Sequence, residues 1–213
     1  MKIALYDYWR SSASFRVRIA LYLAGLEFKT IPVDLLNKDN LNEEYLALNP
    51  QGLVPTLLID DQVLTQSLAI IEYLDETGRL NILPENPVER LRVKTLSFAI
   101  AMEIHPVCNL SVATYAVEAS DKKITMNHWM EKFVSKGLLA VEKLLAHPQT
   151  GTFCHGDQIT MADICLVPQV YNANRWNIPL DDYPRIRSIV ENLTVIEAFS
   201  KASPEEAQKL KGN

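Results

Sequence analysis

Arg10 to Arg18 reads Arg-Ser-Ser-Ala-Ser-Phe-Arg-Val-Arg, a run whose chemistry is that of an anion held at the start of a helix. Hydroxyls placed there sit among backbone N–H groups that have no partner inside the helix, and the helix dipole also favours negative charge. A thiolate is one anion such a place can hold. Taken alone, Ser11 and Ser12 read as ordinary N-caps, the commonest use of serine before a helix. Two further segments share this ambiguity. In Asn49-Pro50-Gln51-Gly52-Leu53-Val54-Pro55, a proline entering a strand has no N–H to donate. It therefore suits an edge or a turn, which leaves the backbone of Val54 for a peptide-like ligand. A cis Val54–Pro55 bond is expected at this turn. In Gln66-Ser67-Leu68-Ala69-Ile70-Ile71-Glu72-Tyr73-Leu74, Ser67 is expected to cap a helix whose first amides receive a carboxylate beside the Gln66 side chain.

The elements that must position these residues follow from periodicity. Lys2 to Tyr6 is a short apolar run ending at Asp7, as in a strand, whereas Phe15, Ile19 and Tyr22 recur at helical spacing and Gly25 stops that helix. Phe28 to Leu35 supplies a second strand, Asn42 to Leu48 a short helix, and Val54 to Ile59 a third strand. Asp60-Asp61 turns that strand into Val63-Leu64-Thr65 as a hairpin. The order is βαβ followed by ββα. Periodicity stops over 78–87, where two prolines mark a linker. The expected domains are therefore residues 1–80, α/β, and 88–213, all helical, with helices over 88–118, 124–146, 160–173 and 184–202. Thr160-Met161-Ala162-Asp163 has the form of a capping box.

Composition narrows the classes. The 213 residues are 48% hydrophobic and 22% charged, which describes a chain that folds. A net charge of −5 with scattered Lys and Arg leaves no basic stripe for nucleic acid. Cys108, Cys154 and Cys165 lack metal spacing and read as small core residues of a protein kept in a reducing compartment. No metal site, glycine-rich phosphate loop or Gly-x-Ser-x-Gly elbow is found. Neither a signal peptide nor a membrane-spanning stretch is expected, so the protein is expected to be cytoplasmic.

The three ambiguous segments gain meaning together. Their order resembles the N-terminal, thioredoxin-like domain of glutathione transferases. The run from Arg10 to Leu21 resembles the zeta-class signature Ser-Ser-Cys-x-x-Arg-Val-Arg-Ile-Ala-Leu, with Ala13 in place of the cysteine. The likeness continues through Ala47-Leu48-Asn49-Pro50, Val54-Pro55-Thr56-Leu57, Ile104-His105-Pro106, Asn109-Leu110-Ser111-Val112 and Gly156 to Asp163, and so covers nearly the whole chain. It implies the glutathione-transferase fold, with glutathione as cofactor and a homodimer. The resemblance puts Ser11 on the glutathione sulfur, with Ser12, Ala13, Ser14, Phe15 and Arg16 around it. Val54 would pair with the cysteinyl backbone, and Gln66 and Ser67 would hold the γ-glutamyl end. Asn40, His105, Asn109, Leu110 and Ser111 align with further binding positions.

By the same resemblance the expected reaction is cis-trans isomerisation of maleylacetoacetate to fumarylacetoacetate, in tyrosine and phenylalanine breakdown. It would proceed by thiolate addition, bond rotation and elimination. Ser11, Ser12, Arg10 and Arg175 are the expected catalytic residues, the arginines gripping substrate carboxylates with a fixed fork of donors. Ala13 removes one accessory thiol but not the nucleophile, which belongs to glutathione. Maleylpyruvate isomerisation and glutathione-dependent dehalogenation of α-halo acids remain open, as does a non-catalytic binding module on the same fold.

Overall fold

The computed structural model describes residues 3–209, so the expected strand start at Lys2 lies outside the described residues. Two compact units result, one of residues 3–81 with 195–209 and one of residues 82–194. In the first, β1 (Ala4–Asp7), α1 (Ser12–Leu23) and β2 (Lys29–Pro32) form the βαβ half. A 3-10 turn (Asp39–Leu41) and α2 (Glu43–Leu48) then lead to β3 (Thr56–Ile59), β4 (Gln62–Thr65) and α3 (Ser67–Glu76). The sheet order is β2-β1-β3-β4, with β1 parallel to β2 and antiparallel to β3. Asp60 and Asp61 turn the β3–β4 hairpin at φ 53° and 60°. Both residues thus sit in the left-handed region, the geometry that matches strand twist in a two-residue hairpin.

Register decides what the sheet can position. Tyr6 pairs with Thr56, and Thr56 with Thr65, so the end of β1, the start of β3 and the end of β4 lie along one edge. Three segments distant in sequence, 7–12, 54–55 and 66–67, therefore leave the sheet from the same side. Leu5, Leu57 and Ile59 are sealed inside. Helix α1 packs on α3 and on α9 (Glu197–Lys201), and every residue from Ser14 to Leu21 is buried.

The C-terminal range differs from the expected 88–213, because residues 195–209, including α9 and α10 (Pro204–Lys209), pack with the first unit. Arg18 explains part of this, since its Nε donates to the Ala202 carbonyl at 2.8 Å. The expected helix over 184–202 is correspondingly two, α8 (Pro184–Thr194) and α9, divided at the β-branched run Thr194-Val195-Ile196.

The second unit is helical: α4 (Pro87–Phe98), α5 (Leu110–Ala119), α6 (Met126–Leu144), α7 (Met161–Arg175) and α8. The expected continuous helix over 88–118 is broken. A π-helical stretch (Ala99–Ile104) follows α4, Pro106 then lacks a backbone donor, and Asn109 restarts the chain as the cap of α5. At Thr160, amide and hydroxyl both donate to Asp163 Oδ2 at 2.8 Å, while the Cys154 amide donates to Oδ1 at 2.8 Å. One buried carboxylate thus fixes both the start of α7 and the loop before it.

Candidate functional site

The edge of the sheet where the three segments meet begins with Ser11, the cap of α1. Its amide donates to the Tyr8 carbonyl at 2.8 Å, and its Oγ accepts from the Ser14 amide at 3.2 Å. A hydroxyl has one proton and two lone pairs, so capping consumes a lone pair and leaves the proton free to be donated to an anion. The amides of Ser12 and Ala13 complete the set of first-turn donors. Capping and anion binding, which compete as readings of the sequence, are thus compatible uses of one side chain.

Arg10 is not a loose surface arginine. Its Nη2 donates to the Tyr8 hydroxyl at 2.9 Å, and its guanidinium lies 4.7 Å from the Trp9 ring centroid. Nε is buried with no hydrogen-bond partner among the described residues. A cation–π contact of this kind and the bond to Tyr8 restrain the guanidinium while leaving donors for a carboxylate.

The second segment is held from below. Tyr45 Oη donates to the Leu53 carbonyl at 2.6 Å and pairs with Thr56 Oγ1 at 3.0 Å, and Asn49 Nδ2 donates to the same carbonyl at 2.7 Å. Burial pushes the Tyr45 hydroxyl above its ordinary value, so it stays a donor. The Val54–Pro55 bond is cis, as expected, and Val54 packs in a cluster with Tyr8, Val33 and Tyr45. Asn40 Nδ2 donates to the Gly52 carbonyl at 2.6 Å, which makes Asn40 a brace of this loop.

At the third segment Ser67 is the first helical residue of α3, not its cap. Gln66 occupies the cap position at φ 68°, ψ 109°. One residue alone joins β4 to α3, so the whole reversal falls on Gln66, a non-glycine held in a sparsely populated conformation. Its Nε2 donates to Gln51 Oε1 at 2.7 Å, which draws the second and third segments together. Sequence reasoning named Gln51 only as part of a motif. Tyr8 was missed altogether, and its one signal was proximity to Arg10.

Ser14, Phe15 and Arg16 are 0%, 3% and 2% exposed, so their side chains belong to the interior of the first unit. The reason is that α1 is enclosed by its neighbours on more than the face its apolar spacing marks. Asn109, Leu110, Ser111, His105 and Arg175 belong to the second unit. There Asn109 Oδ1 caps α5, accepting from the Ser111 amide at 3.2 Å and hydroxyl at 3.1 Å. Leu110 is exposed, the His105 amide closes the π-helical turn on Ile100, and Arg175 ends α7 with its guanidinium 5.2 Å from the Trp176 ring centroid. The cysteines supply no nucleophile: all three are buried, and burial raises the Cys108 thiol to about 11 and Cys154 well above the usual range.

Residues 1–76 match the glutathione S-transferase N-terminal domain, and 107–201 the C-terminal domain. A maleylacetoacetate isomerase of Rhizobium meliloti is 55% identical over 96% of this chain and 97% of its own. The structure of a bacterial zeta-class maleylpyruvate isomerase superposes with TM-score 0.91 at 38% identity, covering 95% of this chain and 97% of that one. That of a maleylacetoacetate isomerase from Methylobacterium extorquens AM1, with bound malonate and glutathione, gives 0.90 at 36%, covering 95% and 97%.

Proposed function

This chain belongs to the glutathione S-transferase family, and from that premise we propose that it is a glutathione-dependent isomerase converting maleylacetoacetate to fumarylacetoacetate. The observation that carries the reading is the Ser11 hydroxyl, whose lone pair is taken by the Ser14 amide while its proton remains to be donated. The residues present fit the tripeptide: a hydroxyl and helix amides for sulfur, a braced loop at Val54 for the cysteinyl backbone, and Gln66, Ser67 and the start of α3 for the γ-glutamyl end.

When bound, glutathione supplies the thiolate that adds to the cis double bond, permits rotation and is eliminated again. Ser11 stabilises the ionised sulfur with a charge-assisted hydrogen bond, and the start of α1 adds its dipole. Arg10, its guanidinium 4.7 Å from the Trp9 ring centroid, anchors a substrate carboxylate and stabilises negative charge as it develops. Ala13 contributes no thiol, and none of the steps needs one.

Homodimer formation, a cytoplasmic location and a place in tyrosine and phenylalanine breakdown belong to the same proposal. Among the described residues no helix is long and apolar enough to cross a membrane. The test is turnover of maleylacetoacetate, maleylpyruvate and an α-halo acid by purified protein, with and without glutathione. Glutathione-dependent isomerisation with highest kcat/KM for maleylacetoacetate is expected. Preference for maleylpyruvate would move the substrate assignment, and binding of glutathione without turnover would make the chain a non-catalytic module.

A further inference from the structure

We propose that Arg16 is a positioning residue for the α-carboxylate of glutathione's γ-glutamyl arm, acting through Ser67; the inference rests on the glutathione reading above. Arg16, inside α1, is 2% exposed, and its Nη1 donates to Ser67 Oγ at 3.2 Å across 51 positions of sequence. Ser67 is 6% exposed and opens α3 at the edge where the ligand-facing segments leave the sheet.

The chemistry is directional. A guanidinium can only donate, so Ser67 Oγ must accept at this contact, and the single proton of its hydroxyl is left to donate elsewhere. Arginine stays charged at every working pH. In the weakly screening interior, its charge further polarises that hydroxyl as a donor. A carboxylate meeting Ser67 would therefore find an oriented O–H, the first amides of α3 with their dipole, and a buried positive charge behind them. Arg16 never touches the ligand in this scheme, which explains how a fully enclosed arginine serves a binding site. The competing account is that Arg16 only ties α1 to α3. That account makes no distinction between ligands with and without the carboxylate, and this difference is what the experiment reads.

Dissociation constants are measured by titration calorimetry on the full chain for the wild type, Arg16→Met, Arg16→Lys, Ser67→Ala and the Arg16→Met/Ser67→Ala double variant. The two ligands are glutathione and 4-aminobutyryl-cysteinyl-glycine, which keeps the amine but lacks the α-carboxylate. For glutathione, Arg16→Met and Ser67→Ala should each lose about tenfold, the scale of a hydrogen bond to a charged group. For the analogue they should lose almost nothing. The double variant should bind glutathione little worse than Ser67→Ala alone, because both changes break one relay, and Arg16→Lys should recover part of the loss. Equal losses for both ligands, or losses that add in the double variant, overturn the inference. If Arg16→Met does not fold, Arg16→Lys and Ser67→Ala decide it: a Ser67→Ala loss that does not depend on the carboxylate overturns it equally. A wild type that binds neither tripeptide refutes the glutathione reading itself, whereas one that prefers glutathione while the Arg16 variants keep that preference refutes only this inference.

Discussion

Replacing Ser11 by alanine removes two things at once, and the structure allows them to be measured apart. The first is the cap on α1, the 3.2 Å bond from the Ser14 amide to Ser11 Oγ. Its loss should cost about 1 kcal/mol of stability. For a chain of this size that is roughly 2–4 °C in Tm. The second is the proton offered to the glutathione sulfur. A hydrogen bond to a charged group contributes about 1.5–3 kcal/mol, and about 1.4 kcal/mol corresponds to one pKa unit, so the bound thiol should titrate about one to two units higher. Stabilising the thiolate lowers the thiol pKa, and removing the donor raises it back toward the free value of about 8.5. Near neutral pH the ionised fraction, and kcat with it, should fall roughly 8- to 25-fold, with much of the loss recovered as pH rises past the shifted value. The assay is kcat against pH at saturating glutathione, paired with the ultraviolet absorbance of the bound thiolate. Ser11→Thr, which keeps both the cap and the donor, should restore the profile. A Ser11→Ala pH profile that overlays the wild type while Tm drops would mean that Ser11 is a cap and nothing more, and the mechanism would be refuted.

Three further outcomes follow from other parts of the molecule. Ala13→Cys should leave kcat for maleylacetoacetate nearly unchanged in steady-state assays, since the reacting sulfur is not the protein's own; a large gain would show that the missing thiol matters. Gly137→Ala should destabilise the protein in denaturant unfolding despite the roughly 1 kcal/mol helix-propensity advantage of alanine. The added methyl group on α6 would run into the Ile104 side chain of the π-helical stretch, and overpacking of that kind costs about 1–3 kcal/mol. His155 is held below its ordinary value of 6.5, first by burial and then by Arg92, whose Nη1 lies 3.0 Å from Nδ1. The unfolded chain therefore takes up a proton before the folded one does, and stability should be lost as pH falls from 6.5 toward the lower folded value. His155→Gln should flatten that dependence in unfolding curves measured across the window.

What the sequence determined by itself was whatever depends on neighbours a few residues away. Ser11 before an apolar helix, Asp60-Asp61 between two β-rich runs and Thr160 three residues before Asp163 each satisfy local donors or local backbone geometry, so each was legible from order alone. The glutathione-transferase likeness was legible for the same reason, being written in such short runs. Tertiary structure decided the rest. The reversal at Gln66, the burial of Arg16 behind Ser67 and the return of residues 195–209 to the first unit depend on partners 51 and 184 positions away for the Arg16 and Arg18 bonds. A polar residue buried against such a partner has the same local pattern as one facing solvent. Only the closed packing of α1 between distant segments turns a charged side chain inward and gives its charge a direction.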